Sequence, residues 1–114
     1  QLAIISGDDA LTLPILSIGG TGVISVVANV LPAEVEGMIR AFETGHYGEA
    51  QWFHYHLLPI IQAMFIETNP IPVKTALGMM RLIKPELRLP MTPLSKAHVK
   101  QLKKTLRAYH LIRK

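Results

Sequence analysis

Cysteine is absent from this sequence. That excludes a disulfide framework and thiolate chemistry, and it fits a reducing, cytoplasmic compartment. Long apolar runs are also missing. The two longest, residues 22–31 and 57–66, fall short of the roughly 18 residues a spanning helix needs, and Pro59 and Gln62 interrupt the second. The first six residues carry no basic stretch, so no signal peptide is read there. Acidic residues stop at Glu86, whereas Lys96, Lys100, Lys103, Lys104, Arg107, Arg113 and Lys114 follow it. A basic tail of this kind could bind nucleic acid or an acidic membrane face. Yet residues 96–107 hold no aromatic to act as a stacking platform. Val99, Leu102, Leu106 and Tyr109 recur at helical spacing, with the lysines mostly on the other side. The tail therefore reads as the solvated face of a helix, with neither nucleic acid nor membrane as its partner.

What is present is enough apolar material for a core: 49% hydrophobic residues in 114, with mean hydropathy +0.29. That length suits one domain rather than two. Residues 2–5 are wholly apolar, as a buried parallel strand is. A chain that opens inside a strand suggests a truncated polypeptide. Ser6-Gly7-Asp8-Asp9 follows as a turn, with Asp9 as the expected N-cap of a short helix over residues 10–18. Gly19-Gly20 supplies a left-handed stop. Residues 22–27 read as a second apolar strand, which completes a βαβ unit with parallel strands.

Beyond Asn29 the pattern is helical throughout. Pro32 suits a first helical turn, and Gly45 a stop. A second helix is expected over residues 47–67, bent at Pro59. A third opens near Pro72, and a proline-bearing loop covers residues 84–93. Ser95 caps a last helix that runs nearly to Lys114. Two parallel strands make a poor sheet alone, because an apolar parallel strand needs cover on both faces. The opening segment thus reads as the end of a larger α/β sheet or barrel, and the rest as an appended helical layer.

Few residues suggest chemistry. Gly7 and Asp8 follow a strand, at the end where parallel α/β proteins collect their sites. A tight turn and a helix cap would use the same residue types. Asn29 reads first as a turn residue. Gly19-Gly20-Thr21-Gly22 lies between a helix and a strand, the reverse of a phosphate cradle. His54 and His56 are two apart, not the four a helical metal pair requires, and His46, His98 and His110 are scattered. No metal or cofactor is expected. Ser6 or Ser25 could enter a Ser-His-Asp set only on paper, because no nucleophile elbow is present. The five methionines read as core filler.

Four blocks are more specific: Ile5-Ser6-Gly7-Asp8-Asp9, the glycine-rich run from Gly19 to Asn29, Asn69-Pro70-Ile71-Pro72-Val73-Lys74, and Leu87-Arg88-Leu89-Pro90-Met91. In order and spacing they resemble the dihydrodipicolinate synthase family. The first two also occur, varied, across the wider pyruvate-dependent lyase group that includes N-acetylneuraminate lyase. The resemblance implies an α/β chain, the C-terminal part of a (β/α)8 barrel with a helical extension. Residues 2–5 and 23–27 would be barrel strands seven and eight. Residues 1–44 would form the barrel end and residues 45–114 the extension.

The family condenses pyruvate with aspartate semialdehyde on the route to lysine, through an imine on a strand-end lysine. That lysine, a tyrosine relay and a carboxylate-binding arginine would all precede Gln1, as would the lysine feedback sites. The resemblance therefore implies no catalytic residue in this chain. It places Gly7, Asp8 and the backbone of Ile24 at the substrate end of the barrel, and Ile18 at the weaker contact of tetrameric members. A cytoplasmic homo-oligomer is implied for the parent, with this chain inactive alone. The alternatives are a short assembly module that complements a half-barrel in trans and, third, a nucleic-acid-binding fragment.

Overall fold

The computed structural model describes residues 2–113; Gln1 and Lys114, the last of the basic tail, lie outside the described residues. The fold is α/β, with a two-stranded parallel sheet followed by helices. Two compact units divide the chain, one running to Ile61 and the other beginning at Gln62.

In the first unit β1 (Ile5–Ser6) pairs in parallel with β2 (Gly22–Val23), Ile5 opposite Gly22 and Ser6 opposite Val23. Both strands are shorter than expected. Residues 2–4 stand outside the ladder, although Thr21 reaches back to the Ile4 carbonyl with its N–H (2.8 Å) and its hydroxyl (3.2 Å). Residues 24–27 leave the ladder because the chain tightens into a 3-10 turn, Val27–Asn29, with Val27 fully buried. The helix expected over residues 10–18 begins as a 3-10 turn, Asp9–Leu11, and continues as α1 (Thr12–Ser17). Pro14 lies in the first turn of α1, where a missing N–H costs nothing. α2 (Pro32–Glu43) opens on its proline, packs on the 27–29 turn and on α1, and buries Val35, Met38 and Ala41.

α3 (Tyr47–Met64) passes through Pro59 and stops short of the expected residue 67. In the second unit α4 (Ile71–Met79) packs against α5 (Lys96–Ala108), with Ala76, Leu102 and Leu106 fully buried. The Ser95 hydroxyl accepts the His98 N–H (3.4 Å), as the expected cap. Glu67 adds to it: one oxygen accepts the Ser95 N–H (3.1 Å) and lies 2.6 Å from His98 Nδ1. The His98 contact, then the Ser95 bonds, hold the Glu67 carboxyl below the usual carboxylate range.

Four helices end alike, with a left-handed residue and an N–H reaching back five positions. The pairs are Gly20 to Ile15 after Gly19, His46 to Ala41 after Gly45, Leu82 to Leu77 after Arg81, and Leu111 to Leu106 after His110. These are Schellman closures. Glycine occupies the left-handed position in the first two, as expected. In the last two Arg81 (φ 62°) and His110 (φ 57°) occupy it. α5 accordingly stops at Ala108 instead of running nearly to Lys114.

Candidate functional site

At the carboxyl ends of β1 and β2 polar side chains from separate segments interlock. Ser6 is buried at the end of β1. Its hydroxyl donates to the Asp8 carbonyl (2.7 Å) and accepts the Asp8 N–H (3.2 Å), which folds the chain sharply over Gly7. The Ser6 carbonyl accepts the Ile24 N–H (2.9 Å) and ties the two strand ends together.

The two adjacent aspartates have opposite roles. Asp8, exposed, accepts the Ala10 N–H on Oδ1 (2.8 Å) and is the N-cap. Asp9, expected as that cap, is instead 3% exposed and turned inward. Its Oδ1 accepts the Ser25 hydroxyl, and its Oδ2 accepts the N–H groups of Val26 (2.9 Å) and Val27 (3.3 Å). Ser25 Oγ in turn accepts the Ala28 N–H (2.9 Å), and Asn29 Nδ2 donates to the Val26 carbonyl (3.0 Å). One carboxylate thus satisfies the first donors of the 27–29 turn. This explains why β2 is cut short. A carboxylate can be this deep because charged acceptors lose little when several donors replace water.

This role of Asp9 differs from the N-cap expected of it. A signal was present, since only one of two consecutive aspartates can cap the same turn. Gly7 and Asp8 lie together on the exposed rim of this braced end, and a methyl group built on Gly7 would meet nothing within 4 Å. Ile24 follows β2 and its side chain is 74% exposed. Ile18, just after α1, is 85% exposed and belongs to the opposite end of the crossover. Leu2, Ile4, Ile5 and Leu11 are exposed as well, so the sheet region carries an apolar surface of several residues.

No lysine lies in or directly after either strand; Lys74 is in α4, Lys84 in the loop after it, and Lys96 to Lys104 in α5. No histidine bonds to Ser6 or Ser25 among the described residues, and no three His, Asp or Glu side chains gather there as a metal site would need. His56 stacks on Trp52 (ring centroids 4.8 Å apart), while the His54 ring meets Tyr55 edge-on. No helix is long and apolar enough to cross a membrane among the described residues. The arrangement supplies a rigid rim with open backbone.

The model of the Dihydrodipicolinate synthetase family matches residues 1–109. The 4-hydroxy-tetrahydrodipicolinate synthase of Endomicrobium trichonymphae is 48% identical over 113 residues, which are 99% of this chain and 39% of that protein. The enzyme of the same name from Methanocaldococcus jannaschii is 50% identical over 112 residues, again 39% of its length. Among solved structures, dihydrodipicolinate synthase from Aquifex aeolicus superposes with a TM-score of 0.95 at 45% identity, covering 99% of this chain and 39% of that one. The Thermotoga maritima enzyme gives 0.94 at 41%, covering 96% and 37%. The chain therefore spans about two-fifths of the length of the relatives it matches.

Proposed function

Since the chain belongs to the dihydrodipicolinate synthetase family, we propose that it is the C-terminal part of a synthase that condenses pyruvate with aspartate semialdehyde through a lysine imine. In this reading β1 and β2 are the seventh and eighth strands of a (β/α)8 barrel. Residues 1–44 close the barrel and residues 45–114 are its helical extension. Gly7, Asp8 and the backbone of Ile24 border the substrate, and Ile18 joins a contact between subunits of a cytoplasmic oligomer. No cofactor is required.

The observation that carries the reading is the pairing of a polar, braced rim with an apolar sheet surface. Leu2, Ile4, Ile5 and Ile24 are exposed beside a parallel sheet of only two strands. Parallel strands of this composition are normally covered on both faces. Further strands and helices of a barrel would cover them, and would bring the lysine that this segment does not place at a strand end.

The test is reductive trapping. Incubated with pyruvate and borohydride, the 114-residue segment alone gains no pyruvyl adduct, and mixing it with the preceding part of a synthase restores both adduct formation and condensation. An adduct on a lysine of the isolated segment would overturn the assignment. If the segment occurs naturally as a separate polypeptide, the same mixing experiment supports a second reading, complementation of a half-barrel in trans.

A further inference from the structure

The second unit holds a cleft of about 740 Å³ where the C-terminal ends of α4 and α5 converge. Arg81, Lys103, Arg107 and Arg113 line it together with Met80 and Leu111, and among the described residues no acidic side chain lines it. Among the described residues none of the four cations has a carboxylate partner; the one ion pair found is Glu67 with His98. We propose that this cleft is a binding site for a small multivalent oxyanion, a polyphosphate or polycarboxylate.

Cations beside helix C-termini have an ordinary explanation: they complement the macrodipole. The magnitudes do not let it account for this cleft. Two helix ends present about half a negative charge each, so roughly three of the four positive charges remain uncompensated. One terminal carbonyl at each end is also already engaged, Leu77 by the Leu82 N–H and Leu106 by the Leu111 N–H. Arg81 adds an independent observation. It sits at the left-handed position of a Schellman closure, where glycine is free of strain and a long side chain is not. A cation is thus held at the mouth of the cleft at a conformational cost. The guanidinium forks of Arg81, Arg107 and Arg113 suit oxyanions with several oxygens, which such groups bind bidentately.

The proposal does not rest on the synthase assignment. It is tested on the full natural chain that carries these residues, by calorimetric titration with inorganic pyrophosphate and with citrate at low ionic strength. Binding of either supports the site, and the preferred probe tells phosphate from carboxylate chemistry. Arg107→Gln weakens binding about tenfold, and Arg107→Lys retains part of it. Lys96→Gln and Lys104→Gln remove the same charge from α5 outside the cleft and leave affinity within about twofold. Arg81→Gly separates function from folding: it raises the thermal midpoint, because strain is released, while it weakens binding about tenfold. No binding of either probe overturns the proposal. So does equal loss in the Lys96 and Lys104 variants, or an Arg81→Gly protein that binds as wild type.

Discussion

The carboxylate of Asp9 accepts the hydroxyl of Ser25, sixteen residues away, and the same carboxylate holds the Val26 and Val27 N–H groups. Removal of that carboxylate strands two backbone donors and one hydroxyl. Asp9→Ala is expected to destabilise the chain by about 2–4 kcal/mol, against about 1 kcal/mol for Asp8→Ala, which loses a single exposed cap bond. Urea denaturation measures both. A double-mutant cycle of Asp9→Ala with Ser25→Ala gives a coupling of about 1 kcal/mol. Equal effects at the two aspartates would sink the distinction drawn between them.

α2 and α3 meet at Gly37, where an added Cβ would lie 2.7 Å from Phe53 Cζ. Alanine normally improves a helix interior by about 0.5–1 kcal/mol. Here the ring cannot give that distance without repacking, which costs about 1–3 kcal/mol. Gly37→Ala is therefore expected to lower stability, and Gly37→Ala with Phe53→Leu to recover it. A lower midpoint in the double variant than in the single one counts against the close approach.

Glu67 gives a pH dependence with a definite sign. Its carboxyl is held below the ordinary value of 4.5 by His98 first and by Ser95 next. A folded value below the unfolded one means the group stabilises the fold fully above the unfolded value. That contribution is lost as pH falls through the lowered folded value. Thermal midpoints of wild type and Glu67→Gln should differ most near neutral pH and converge as the solution is acidified below 4.5. A gap that persists at low pH would show that the carboxylate is not its source.

Ile18 tests the oligomer that the family assignment proposes. An isoleucine 85% exposed loses little when replaced, so Ile18→Lys should change the stability of the segment by less than about 0.5 kcal/mol. In the proposed full-length synthase the same change should lower the sedimentation mass toward a smaller assembly. An unchanged mass would remove Ile18 from the contact.

Much of the fold was legible because its signals are local. Gly19, Gly45, Pro32 and Ser95 mark helix ends where the backbone itself demands them. The blocks Ile5 to Asp9 and Asn69 to Lys74 carried the family likeness, and the family comparison bears it out. The illegible parts depend on which side chain meets which backbone group. Val26 and Val27 have the composition of a strand, yet Asp9 draws their N–H groups into a turn. α5 stops at Ala108 and closes over His110, a residue that tolerates the left-handed region without announcing it as glycine does. Asp8 could be read as ligand or cap from its position. The structure places its Oδ1 on a cap bond, and Gly7 and Ile24 beside open space on the same rim.

The bonds that close the β1–α1–β2 crossover all join residues 16 to 18 positions apart. A parallel pair usually waits for a much longer excursion of the chain, because its crossover needs a dozen or more residues at the least. Here the excursion is close to that minimum. Contacts this near in sequence lose little entropy on closing and form on a timescale of microseconds or less. The crossover is thus suited to assemble early, as a pre-formed edge for the further strands of the proposed barrel.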